Sequence, residues 1–87
     1  MHNQWDVELS FEEDGVHTAC EARLVGARAP GLNAHGESVR SADDRPLARI
    51  GEEMAASRAL EELSRKLRTQ ATGEIDDEGH RPAYLIY

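Results

Sequence analysis

The chain has 87 residues, enough for one core and no more, so residues 1–87 are read as a single domain with no room for a deep, walled active site. Seventeen acids against ten lysines and arginines give a net charge of −7, a balance that disfavours non-specific binding to nucleic acid. The one cysteine, Cys20, excludes an intramolecular disulfide and a multi-cysteine zinc site and fits a reducing, cytoplasmic setting. Residues 1–6 lack both a basic start and an apolar run, and no stretch nears the roughly 18 apolar residues of a spanning helix, so neither a signal peptide nor a membrane anchor is expected.

Residues 5–12 alternate, with Trp5, Val7, Leu9 and Phe11 on one side and Asp6, Glu8, Ser10 and Glu12 on the other, the period of a half-buried strand. Trp5 and Phe11 are therefore expected to fill the core. Asp14-Gly15 supplies the positive φ of a tight hairpin turn. A second strand over residues 16–25 puts Val16, Thr18, Cys20, Ala22 and Leu24 inward, and the small Cys20 and Ala22 leave space for a helix to lie close. Residues 26–31 form a breaker cluster with its turn at Pro30-Gly31. A third strand follows over residues 32–40, with Leu32, Ala34 and Ser38 on the covered side; Gly36 weakens its regularity.

Residues 41–46 carry helix-start chemistry, with Ser and Asp oxygens for the orphan amides and Pro46 for the first turn. An amphipathic helix then runs from Leu47 through Leu67. Glu61 with Arg65 and Glu62 with Lys66 are spaced for i,i+4 pairing. Its apolar face is broad: Leu47, Ile50 and Met54 share one side, Leu60, Leu63 and Leu67 lie rotated around the axis, and Ala55, Ala56 and Ala59 bridge them. Gly73 can end the helix, but Gly79 with Pro82 makes the better stop. Residues 83–87, Ala-Tyr-Leu-Ile-Tyr, are apolar and β-prone, fit for a short edge strand or an interface segment. The order defines an α+β fold: a three-stranded antiparallel sheet (β-β-β-α) packed on one long C-terminal helix, with a short fourth strand as an option at the C-terminus.

The Glu-Asp-Gly turn, the stretch Thr18-Ala19-Cys20-Glu21-Ala22-Arg23-Leu24 and above all the helical run Ile50-Gly51-Glu52-Glu53-Met54-Ala55-Ala56-Ser57-Arg58-Ala59-Leu60 with Leu63 resemble a family of small actinobacterial proteins that forms a domain of unknown function. The resemblance covers nearly the whole chain. Met54 and Ser57 stand where Leu and Ala are commoner, and Pro46 sits slightly early. The resemblance implies a fold like the double-stranded-RNA-binding domain and implies no catalytic residue, cofactor or metal.

No nucleophile–base pair, phosphate loop or metal-ligand spacing marks the chain as an enzyme. Cys20 faces inward without a basic neighbour, as an inert small hydrophobe does. His17 and His35 project from the outer sheet face, where Glu21 or Glu37 could join them, but their spacing is not diagnostic of a metal site. The reading favoured is a non-catalytic protein-interaction or homo-oligomerising module, through Leu60, Leu63, Leu67, Tyr84, Leu85, Ile86 and Tyr87. The alternative is double-stranded RNA binding through Arg23, Arg28, Arg40, Arg45 and Arg49. It lacks the lysine cluster that such domains place at the start of the last helix, and Glu52 and Glu53 stand close by instead.

Overall fold

The computed structural model describes residues 1–40 and 48–77. Three strands, β1 (Trp5–Glu13), β2 (His17–Gly26) and β3 (Asn33–Val39), precede one helix, α1 (Ala48–Asp77). The strands form an antiparallel sheet in the order β1-β2-β3, as their alternation predicts. The expected cap over residues 41–46 and the expected fourth strand at residues 83–87 lie outside the described residues.

The β1–β2 turn is held by one side chain. Asp14 Oδ1 accepts from the amides of Val16 (2.9 Å) and His17 (2.7 Å), while Gly15 takes φ +94°, a conformation that costs an L side chain more than glycine. Those two amides, with His17 beside it, hold the Asp14 carboxyl below the usual carboxylate range. A pKa lowered by folding contributes stability above the unfolded value, and that contribution is lost as pH falls through the folded one. Asp14→Ala is accordingly expected to flatten the acid limb of the stability-against-pH curve. An unchanged acid limb would deny Asp14 this role.

Helix α1 crosses β2 and β3. Cys20, Ala22, Leu24 and Ala34 of the sheet meet Ala55, Ala59 and Leu63 of the helix in the buried core, flanked by Ala29, Leu32, Ala56 and Leu67. The small residues let the two layers approach until backbone meets backbone. A Cβ on Gly36 would fall within 2.3 Å of both the Ala55 carbonyl oxygen and the Ala59 nitrogen. Gly36 thus keeps a regular strand, contrary to the irregularity expected of it, because its missing side chain is the seat of the helix. One turn earlier, Ser38 Oγ donates to the Gly51 carbonyl at 2.8 Å, beside the buried Thr18.

The helix also guards the β3 edge. Arg58 Nη1 reaches the Glu37 carbonyl and Lys66 Nζ the Asn33 carbonyl, each at 2.6 Å. Such capping blunts an open strand edge. Glu62 bonds Arg65 at i,i+3 rather than pairing with Lys66, since Lys66 is drawn to the strand. Gly73 does not end the helix, which continues to Asp77; an exposed glycine costs a helix only about 1 kcal/mol.

Candidate functional site

Trp5, Val7, Leu9 and Phe11 pair across the sheet with Gly26, Leu24, Ala22 and Cys20. Directly opposed residues of an antiparallel pair share a face, so the four apolar side chains of β1 stand on the helix side. The helix does not cover them: Trp5 is 44% exposed, Val7 42%, Leu9 38% and Phe11 36%. The expectation that Trp5 and Phe11 fill the core is therefore corrected. Alternation identifies the apolar side correctly, yet a helix about 10 Å across covers about two strands spaced about 4.8 Å, and here those two are β2 and β3.

Helical geometry adds a wall to this surface. At 100° per residue, Leu60 lies on the flank of Ala59 opposite to Arg58; Arg58 reaches over β3, so Leu60 rises on the β1 side. Leu60 is 41% exposed, and Ala56, one turn before it, is half-buried. The result is a trough floored by β1 and walled by Ala56 and Leu60. Of the other helical leucines expected at an interface, Leu63 is buried in the core and Leu67 packs half-buried against it. Tyr84, Leu85, Ile86 and Tyr87 lie outside the described residues.

The described arginines do not all lie at one end of the sheet. Arg23 lies on the outer sheet face with its guanidinium on Glu8 at 2.7 Å, Arg28 sits in the β2–β3 loop near Met1, and Arg40 donates to the Gly15 carbonyl at the opposite end of the sheet. Arg49 lies on the first turn of α1, and Arg45 is outside the described residues. Arg28 and Arg40 are thus kept apart by the length of the sheet.

Other polar groups have ordinary surroundings. His35 sits between Glu21 (3.7 Å) and Glu37 (3.5 Å) on the outer face, and His17 beside Asp14 at 3.6 Å. Among the described residues no group of three histidine, cysteine, aspartate or glutamate side chains is arranged to hold a metal ion. Cys20 is fully buried, and desolvation, helped by the charge of Glu21, pushes its thiol pKa up; a raised pKa leaves little thiolate for nucleophilic work. An open hollow of about 470 Å³ lies between Leu32 and the helix flank at Lys66, Thr69, Gln70 and Gly73. Arg65 and Glu74 complete its lining. Among the described residues no helix is long and apolar enough to cross a membrane.

A single helix on two strands of a three-stranded antiparallel sheet, with the apolar side of β1 open, defines a small α+β domain whose prominent surface is hydrophobic. The chain belongs to the Rv2632c-like family, whose model matches residues 3–84. It is 32% identical over 83 residues to the uncharacterized protein Mb1767 of Mycobacterium bovis, covering 95% of this chain and 87% of that one. It is also 32% identical over 78 residues to the uncharacterized protein Rv2632c of Mycobacterium tuberculosis, covering 87% and 81%. The crystal structure of Rv2632c superposes with a TM-score of 0.81 at 27% identity, over 94% of this chain and 96% of that one. These relatives bring no enzyme family with them.

Proposed function

We propose that this protein is a non-catalytic interaction module, binding a protein partner or a second copy of itself through the apolar side of β1. The observation that carries the reading is the row Trp5, Val7, Leu9 and Phe11, each more than a third exposed on the side of the sheet that the helix packs against. Scattered exposed apolar residues need no explanation, but a contiguous stripe walled by a helix marks a contact surface. The core supports the same reading. Among the described residues, four of the seven buried apolar ones are alanines, which leaves the domain apolar area to gain from a partner. The buried, lone Cys20 fits a cytoplasmic location.

The β-β-β-α order supports a likeness to the double-stranded-RNA-binding fold, but function follows the site rather than the fold. The separation of Arg28 from Arg40 and the carboxylate of Glu8 on Arg23 do not favour the RNA alternative.

Leu9→Glu tests the proposal. It sets a charge at the centre of the trough while leaving the buried helix contacts untouched. Sedimentation mass over a range of concentrations, and proteins captured from nuclease-treated native lysate, would be compared with wild type. Loss of either a self-association or a specific captured protein in the folded variant is the expected outcome. If both measurements match wild type, the trough does not bind a partner or a second copy.

A further inference from the structure

The size of the trough favours a short segment over a whole protein face. The β1 side chains and Leu60 leave roughly 400 Å² exposed, given that large apolar side chains bury about 150–250 Å² each. Two such patches face to face would bury about 800 Å², below the roughly 1,200 Å² at which stable interfaces begin. From Trp5 to Phe11 the floor is about 20 Å long at about 3.4 Å per residue, the length of five to seven extended residues.

The sequence beyond Asp77 contains a matching segment. Residues 83–87, Ala-Tyr-Leu-Ile-Tyr, carry no charged side chain, and tyrosine suits a surface that is apolar below and wet above. Their position along the chain also fits. Gly36 lies against Ala55 and Ala59 and is in register with Cys20, hence with Phe11. The helix starts beside Thr18 and Ser38 and passes Asn33 at Lys66, so it runs opposite to β1. At about 1.5 Å per residue it draws level with Trp5 near residue 70 and ends roughly 10 Å past the sheet. The return to Trp5, with about 10 Å of sideways travel, needs about five extended residues at about 3.4 Å each. Residues 78–82 supply that length, with the turn formers Gly79 and Pro82 among them.

We propose that residues 83–87 of the chain itself occupy the trough over β1, and that a partner gains this surface by displacing them. The second clause rests on the functional reading above; the first does not. A segment tethered this closely acts at an effective concentration in the millimolar range, which favours docking onto its own domain over exchange with a second copy.

Trp5 is the only tryptophan and lies in the trough, so its fluorescence reports the occupant directly. Deleting residues 78–87 is expected to shift its emission to longer wavelength and speed its quenching by acrylamide, with a monomeric mass before and after. The double variant Leu85→Ser/Ile86→Ser keeps the chain length and should shift the emission the same way, which decides the matter should the shortened chain fail to fold. Unchanged emission and quenching in the folded variants would overturn the proposal and leave the interaction reading standing. A dimeric full-length chain that becomes monomeric in either variant would also overturn it, in favour of segments exchanged between two copies. If the emission responds to the deletion while Leu9→Glu changes neither mass nor capture, residues 83–87 cover the trough and the partner reading fails.

Discussion

Gly36→Val is expected to prevent folding, and Gly36→Ala to cost at least about 3 kcal/mol, the upper end of ordinary overpacking penalties. The reason is the identity of the atoms in the way. The added Cβ would meet helix backbone at Ala55 and Ala59, and backbone inside a regular helix cannot rotate aside as a side chain can. Relief requires the whole helix to lift, which would loosen Ala55, Ala59 and Leu63 from the sheet together. A domain of this length has a total stability of roughly 4–13 kcal/mol, so one methyl group consumes a large share of it. Gly51→Ala is the internal comparison. Its Cβ would fall 2.7 Å from Thr18 Oγ1 and 3.5 Å from Ser38 Oγ, side-chain oxygens that can rotate aside as backbone cannot, so the cost should be clearly smaller. Urea denaturation of the three variants would show the order Gly51→Ala, Gly36→Ala, Gly36→Val. A Gly36→Ala protein as stable as wild type would refute the backbone contact.

The same glycine shows what a sequence can and cannot disclose. Its alternating neighbours Ala34 and Ser38 identify the covered side of the third strand, and the strand is there. That a glycine in a strand marks the close approach of another backbone is a general rule, but which backbone approaches depends on where the helix lies across the sheet. The β1 stripe makes the point more strongly. Alternation in residues 5–12 separates Trp5, Val7, Leu9 and Phe11 from the acids correctly, because the strand period is local. Whether that apolar side is buried depends on helix width and on the strand chosen for contact, neither of which is local. Small residues held the available clue: Cys20, Ala22, Ala34 and Gly36 lie on β2 and β3, whereas β1 has only large side chains on its apolar side. A helix packs closest where side chains are smallest, so the bulky strand is the one left uncovered.

Leu63→Ala is expected to cost about 3 kcal/mol, within the range of about 2–5 kcal/mol for buried leucines cut to alanine. Leu63 is 3% exposed, and among the described residues of the buried core only Leu24 is as large; the rest are alanines and Cys20. The core therefore has few large side chains through which to bury apolar area, and few flexible ones to relax into a cavity, so the loss should be close to the full transfer and cavity cost. Leu67→Ala, half-buried at the rim of the same cluster, should cost roughly 1 kcal/mol, about half or less of full burial. Leu60→Ala should change stability by less than about 0.5 kcal/mol in the absence of an occupant, because solvent already covers much of it. Adding whatever fills the β1 trough should raise the cost of Leu60→Ala while leaving that of Leu63→Ala nearly unchanged, since ligation stabilises only through the contacts it makes. The three variants, each unfolded in urea with and without residues 78–87, measure this directly. A Leu63→Ala cost no greater than that of Leu60→Ala would mean that the helix is not seated on the sheet through its Ala55, Ala59 and Leu63 face.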